Sequence, residues 1–159
     1  MKKTILITGA GTGIGKDAAF ALALRGHRVL ATTQTEPQSN ALKAEATQRN
    51  IVLEIFKLDI TQEADRESIS AYPIDVLINN AGMGESGSLA EVDMQRVRQI
   101  FEVNLFSTLA LTQVALRGMI ARERGSVLFV SSIAGRVPMP FLMPYSMSKF
   151  ALSAAGAGL

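Results

Sequence analysis

The chain has 159 residues, 48% of them apolar and 19% charged, a balance that suits one globular domain and argues against disorder. Sixteen Lys and Arg against fourteen Asp and Glu leave a net charge of +2, and no basic run exceeds Lys2-Lys3, so the electrostatic footprint of a nucleic-acid binder is missing. With no cysteine, disulfides, thiolate nucleophiles and cysteine metal ligands are excluded.

The opening MKKTILITGAG has a charged start, but its apolar run is too short for a secretory h-region. No stretch approaches the ~20 apolar residues that a membrane helix needs, and the expectation is a cytoplasmic protein without a membrane partner. Residues 4–8 (TILIT) form a short, β-branched run without polar alternation, as expected of a strand buried on both faces. Residues 9–15 (GAGTGIG) make a glycine-rich turn. Residues 16–25 then read as a helix stopped at Gly26. A second strand over 28–33 (RVLATT) leads to a helix over about 37–49, with Pro37 in its first turn.

Residues 51–58 (IVLEIFKL) read as a third strand ending at Asp59, and Thr61 is the expected cap of a short helix reaching about Ala71. Residues 74–79 (IDVLIN) are a fourth strand, followed by a glycine-rich loop over 80–87. A long helix is expected from about Glu91 to Arg124, a fifth strand over 126–131 (SVLFVS), and a last helix from about Tyr145 onward. Strands alternating with helices imply right-handed βαβ units and a parallel sheet covered on both faces: an α/β doubly wound architecture of Rossmann type. Ligands bind such sheets beyond the carboxyl ends of the strands. The glycine turn, Asp59, Asn80 and Ser132 each follow a strand and should share one rim.

Two patterns on that rim carry chemistry. In TGAGTGIG the glycines let the backbone approach a ligand closely, and the following helix N-terminus offers N–H groups and partial positive charge to a pyrophosphate. The alternative is an ordinary βα turn. In Ser132…Tyr145-x-x-x-Lys149 the last two residues sit one helical turn apart on the same face. An ammonium beside a phenol favours the phenolate, which suits proton transfer at an alcohol or ketone oxygen that Ser132 could hold. Such triplets also arise by chance, and the nucleotide loop is what raises this one above coincidence.

TGAGTGIG, NNAG at residues 79–82 and the S-x12-Y-x3-K pattern together resemble the short-chain dehydrogenase/reductase family in its compact form, over essentially the whole chain. The resemblance implies a five-stranded sheet of order 3-2-1-4-5. It also implies an NAD(P)-dependent oxidoreductase moving a hydride between nicotinamide and an alcohol or ketone, with no metal. It matches Gly9, Gly13 and Gly15, with Thr12 and Ile14, to the pyrophosphate loop. Asp59 falls at the position that meets the adenine amino group, and Asn80, Ala81 and Gly82 at the segment lining the cofactor. Asn104 matches an asparagine that holds a water near the lysine. Ser132 matches the substrate-orienting serine, Tyr145 the acid/base, and Lys149 the ribose-binding lysine; Tyr145 and Lys149 also touch the cofactor.

Thr33, followed by Gln34, falls where the family places an acidic residue for NAD. Without a carboxylate nothing repels a 2′-phosphate, so the lean is to NADP, with Lys16 or Arg28 as basic groups that could approach. Ile133, Met139, Phe141, Leu142 and Met143 suggest a lipophilic alcohol or ketone as substrate. Family members form homodimers or homotetramers through the long helix and the Tyr–Lys helix. They also continue with two more strands and a helical substrate lid, which are absent from these 159 residues. The favoured account is therefore an ordered part of a longer chain; a shortened or naturally short chain are the others. A nucleotide-binding module without turnover, an oligomerising scaffold and a flavodoxin-like domain are the competing functions.

Overall fold

The computed structural model describes residues 1–159. Its centre is a parallel sheet of five strands in the order β3-β2-β1-β4-β5. The strands are β1 (Thr4–Ile7), β2 (Arg28–Thr33), β3 (Glu54–Lys57), β4 (Val76–Asn79) and β5 (Ser126–Phe129). The helices are α1 (Gly13–Leu24), α2 (Glu36–Gln48), α3 (Glu63–Ser68), α4 (Met94–Phe101), α5 (Thr108–Ala121) and α6 (Met143–Gly158). A π-turn over Glu102–Ser107 joins α4 to α5 without interruption. The order matches the sequence expectation, because each βαβ crossover keeps its hand and strand order reverses between β1 and β4.

Alternate side chains of the strands build two cores, one on each face. Leu6, Leu30 and Leu77 pack with Ile69, Leu111, Val114 and Met119. Ile5, Ile7, Val29 and Ala31 pack with Ala19, Phe20, Leu42 and Ala46 of α1 and α2. The central strands are apolar toward both sides, which is why TILI carries no polar alternation. β5 is an edge, and its Leu128 is about half exposed at 52%.

Several boundaries differ from the sequence reading. The glycine turn ends sooner, since Gly13 already opens α1; the helix ends at Leu24, and Gly26 takes a positive φ of 84° two residues beyond it. Thr61 does not cap α3: its hydroxyl and N–H both bond to Asp59 Oδ1, at 2.8 and 3.0 Å, and Gln62 stands at the helix start without a side-chain cap. α2 begins in a capping box, Thr35 accepting from the Gln38 N–H while Gln38 Oε1 accepts from the Thr35 N–H.

The helix from Met94 to Ala121 also corrects the membrane argument. It runs 28 residues, and its most apolar window has a mean hydropathy of 1.2, enough in length and composition to span a bilayer. Its apolar stripe is used within the protein instead, with Val97, Ile100, Leu111, Val114, Ala115 and Met119 buried in the fold.

Candidate functional site

A groove of about 640 Å³ runs along the carboxyl ends of the strands. Its floor comes from the β1–α1 turn (Gly9, Gly11, Thr12, Ile14), one end from Thr33, Gln34, Gln38, Asp59 and Thr61, and the other from Ala81–Gly84, Tyr145 and Lys149. The topological switch between β1 and β4 opens this space, because α1 and the β4 loop leave the sheet on opposite faces.

Thr8 joins the two loops at the switch. Its Oγ1 accepts the N–H groups of Asn80 and Ala81 at 3.0 and 2.9 Å. Asn80 Nδ2 returns two bonds, to the carbonyls of Thr8 (2.9 Å) and Gly9 (3.1 Å). Next along, Asn79 Nδ2 donates to Thr112 Oγ1 at 2.9 Å in the core, anchoring β4 to α5.

At the other end, α6 carries Tyr145 and Lys149 one turn apart, as the spacing predicts. Lys149 is 4% exposed, and its Nζ lies 5.7 Å from the Tyr145 ring centroid and donates to the Val130 carbonyl at 2.9 Å. Burial holds the ammonium pKa below the usual lysine range, since no carboxylate pairs with it. The arrangement offers a phenol beside a buried cation, at the end of a groove whose other half is built from a helix N-terminus and backbone.

The family pattern described as short chain dehydrogenase matches residues 3–157. The chain belongs to the short-chain dehydrogenase family. A very-long-chain 3-oxoacyl-CoA reductase of Phaeosphaeria nodorum is 34% identical over 91% of this chain and 46% of its own length. The uncharacterized oxidoreductase YusZ of Bacillus subtilis is 37% identical over 95% of this chain and 56% of its own. Among solved structures, a short-chain dehydrogenase from Streptomyces avermitilis superposes with a TM-score of 0.89 at 30% identity, covering 99% of this chain and 59% of that one. A gluconate 5-dehydrogenase from Burkholderia cenocepacia, in complex with NADP and tartrate, gives a TM-score of 0.90 at 25% identity, covering 99% and 65%. The chain thus spans about half the length of the curated relatives it matches.

The family motifs fall unevenly in the groove. Gly9, Thr12, Ile14, Thr33, Asp59, Asn80, Ala81, Gly82, Tyr145 and Lys149 line it. Gly13 and Gly15 do not. Gly13 opens α1, and Gly15 lies beneath the turn, where a Cβ would come within 2.6 Å of the Gly9 carbonyl oxygen. Asn104 is fully buried behind Gly82, its amide bonded to both backbone groups of Met83 at 2.8 Å.

Ser132 also lies outside the lining. Its hydroxyl accepts the Ala134 N–H at 3.1 Å and caps the short turn Ile133–Gly135. The neighbouring Ser131 reaches the groove, with its hydroxyl bonded to Ser153 Oγ and the Lys149 carbonyl. Neither basic group suggested for a 2′-phosphate comes near: Lys16 pairs with Glu45 at 2.9 Å, and Arg28 makes a two-pronged bond to Glu54 on β3. Sequence reasoning missed Thr8, Gly11, Gln38, Ser131 and Ser148. Thr8 and Gly11, inside the quoted TGAG, carried a signal; the other three did not.

Proposed function

We propose that the full protein is an NADP(H)-dependent oxidoreductase acting on a lipophilic alcohol or ketone, and that residues 1–159 form its single nucleotide-binding domain. One observation carries the reading: Tyr145 and the buried Lys149 face the same groove as the glycine turn at the N-terminus of α1. The groove volume lies within the ~300–1,000 Å³ of small-molecule sites, so a nicotinamide dinucleotide fits the lining. Gly9, Thr12 and Ile14 would hold the pyrophosphate, Asp59 and Thr61 the adenine end, and Ala81 and Gly82 the flank. The bound cofactor supplies or accepts a hydride.

The rest is done by side chains of this chain. Tyr145 gives its phenolic proton to the developing alkoxide in reduction and takes it back in oxidation. Lys149 stabilises the phenolate by its charge and binds ribose hydroxyls. Ser132 steadies the substrate oxygen by donating its hydroxyl proton, which the bond accepted from the Ala134 N–H leaves free, and Asn104 supports the Lys149 end. The NADP preference rests on Thr33 and Gln34 standing at the end of β2 without a carboxylate of their own, so that Asp59 is the one acidic side chain lining that end of the groove. A second, apolar hollow of about 650 Å³ beside α6, formed by Met139, Phe141, Met143, Met147 and Phe150 with two prolines, supports a lipophilic substrate.

Tyr145→Phe should abolish turnover of carbonyl substrates while sparing NADPH binding measured by fluorescence; an active Phe variant refutes the role. Tighter binding of NADH than of NADPH overturns the cofactor choice. A binding module without turnover is the rival, which a panel of ketones with NADPH would expose. A cytoplasmic homodimer or homotetramer completes the proposal, checked by fractionation and light scattering.

A further inference from the structure

We propose that Ser148 is a positioning residue, tying Asn104 to helix α6 and so setting Lys149 against the Gly82–Met83 segment; this rests on the oxidoreductase reading above. The Ser148 Oγ–H donates to the Tyr145 carbonyl at 2.7 Å. A hydroxyl has one proton, so toward Asn104 it can only accept, and Asn104 Nδ2 donates to it at 2.9 Å. Both side chains are fully buried.

The bond spans two elements whose relative height matters. Asn104 sits in the π-turn, where the helical ladder is opened and side chains are re-aimed. Its Oδ1 accepts the Met83 N–H and its second amide proton goes to the Met83 carbonyl, so its position fixes the backbone beside the groove. Ser148 lies three residues after Tyr145 and one before Lys149. Asn104 Oδ1 and Lys149 Nζ crowd the same side of Gly82, at 3.2 and 3.4 Å from where a Cβ would stand. The Ser148–Asn104 bond is the one hydrogen bond between α6 and the π-turn, and without it one buried Asn104 proton loses its acceptor.

The test is a double-mutant cycle in the full-length protein, read by steady-state kinetics, NADPH titration and amide hydrogen exchange. Ser148→Ala keeps helix propensity and nearly the same volume. It should lower kcat about tenfold, the scale of one buried hydrogen bond, with substrate KM and NADPH affinity within about threefold. Asn104→Ala should lower kcat further, since it also strands the Met83 N–H and carbonyl, and adding Ser148→Ala to it should cost nothing more, because the Ser148 loss acts only through Asn104. Exchange at the Met83 N–H should speed up in Ser148→Ala. A kcat within about twofold of the parent, or losses that multiply in the double variant, would overturn the proposal. Met83 exchange needs no turnover: if it is unchanged in Ser148→Ala the tie fails on its own, whereas an inactive parent refutes the oxidoreductase reading.

Discussion

Lys149 donates from Nζ to the carbonyl oxygen of Val130 at 2.9 Å, and no carboxylate shares the ammonium. A buried cation held by one neutral acceptor costs stability, because desolvation is only partly offset. The folded-state pKa lies below that of an unfolded lysine, so between the two values the unfolded chain binds more protons. Stability should therefore rise as pH climbs through the folded value, and level off once the unfolded lysine also deprotonates. Urea midpoints at neutral and alkaline pH should show this rise in the parent, and Lys149→Met should flatten it while ending activity.

Asp65 gives the opposite slope. Burial works against its charge, but Lys57 Nζ and the Asp59 N–H, each at 2.7 Å, outweigh it and hold the carboxyl below the usual range. Stability from this group is complete above the ordinary aspartate range and is lost as pH falls through the folded value. Asp65→Asn should cost about 1–3 kcal/mol at neutral pH and shallow the acid limb of the stability profile. Urea unfolding across the acid range checks both.

The glycines of the β1–α1 turn should respond differently. Gly15→Ala places a methyl group against the Gly9 carbonyl and the Asn80 amide, backbone and a bonded side chain that cannot retreat. A loss of about 1–3 kcal/mol and weakened NADPH binding are expected. Gly13 meets nothing, and its constraint is a φ of 54°. Gly13→Asn, whose residue tolerates that region, should cost about 1 kcal/mol or less. Thermal unfolding and cofactor titration of the pair separate crowding from conformation.

Thr112→Val should strand the Asn79 amide proton in the core without changing shape. A loss of about 1–3 kcal/mol is expected, with NADPH affinity unchanged because neither residue lines the groove. Equal losses of stability and affinity would instead mean that β4 transmits the change to Asn80.

The fold was legible because its signals are local. TILI is apolar on both faces, Gly26 and Pro37 punctuate helices, and Tyr145 and Lys149 are four residues apart on one helix. Boundaries shifted where a residue had two possible partners. Thr61 looked like a cap, yet Asp59 was nearer and took its hydroxyl. Ser132 keeps its hydroxyl proton for a substrate while a lone pair of the same oxygen caps the turn beginning at Ile133.

Chain pattern alone determined the parallel α/β sheet and the placing of the glycine turn and the Tyr–Lys pair on one rim, since alternation and spacing act within a few residues. Tertiary structure decided which polar atoms remain available there. Thr8 against Asn80, Asn104 against Ser148, and Lys149 against Val130 join residues tens of positions apart, or turn a side chain inward rather than outward. No local preference encodes such pairings. They form because the packed sheet and helices exclude water, and a buried donor left without an acceptor in the fold costs free energy.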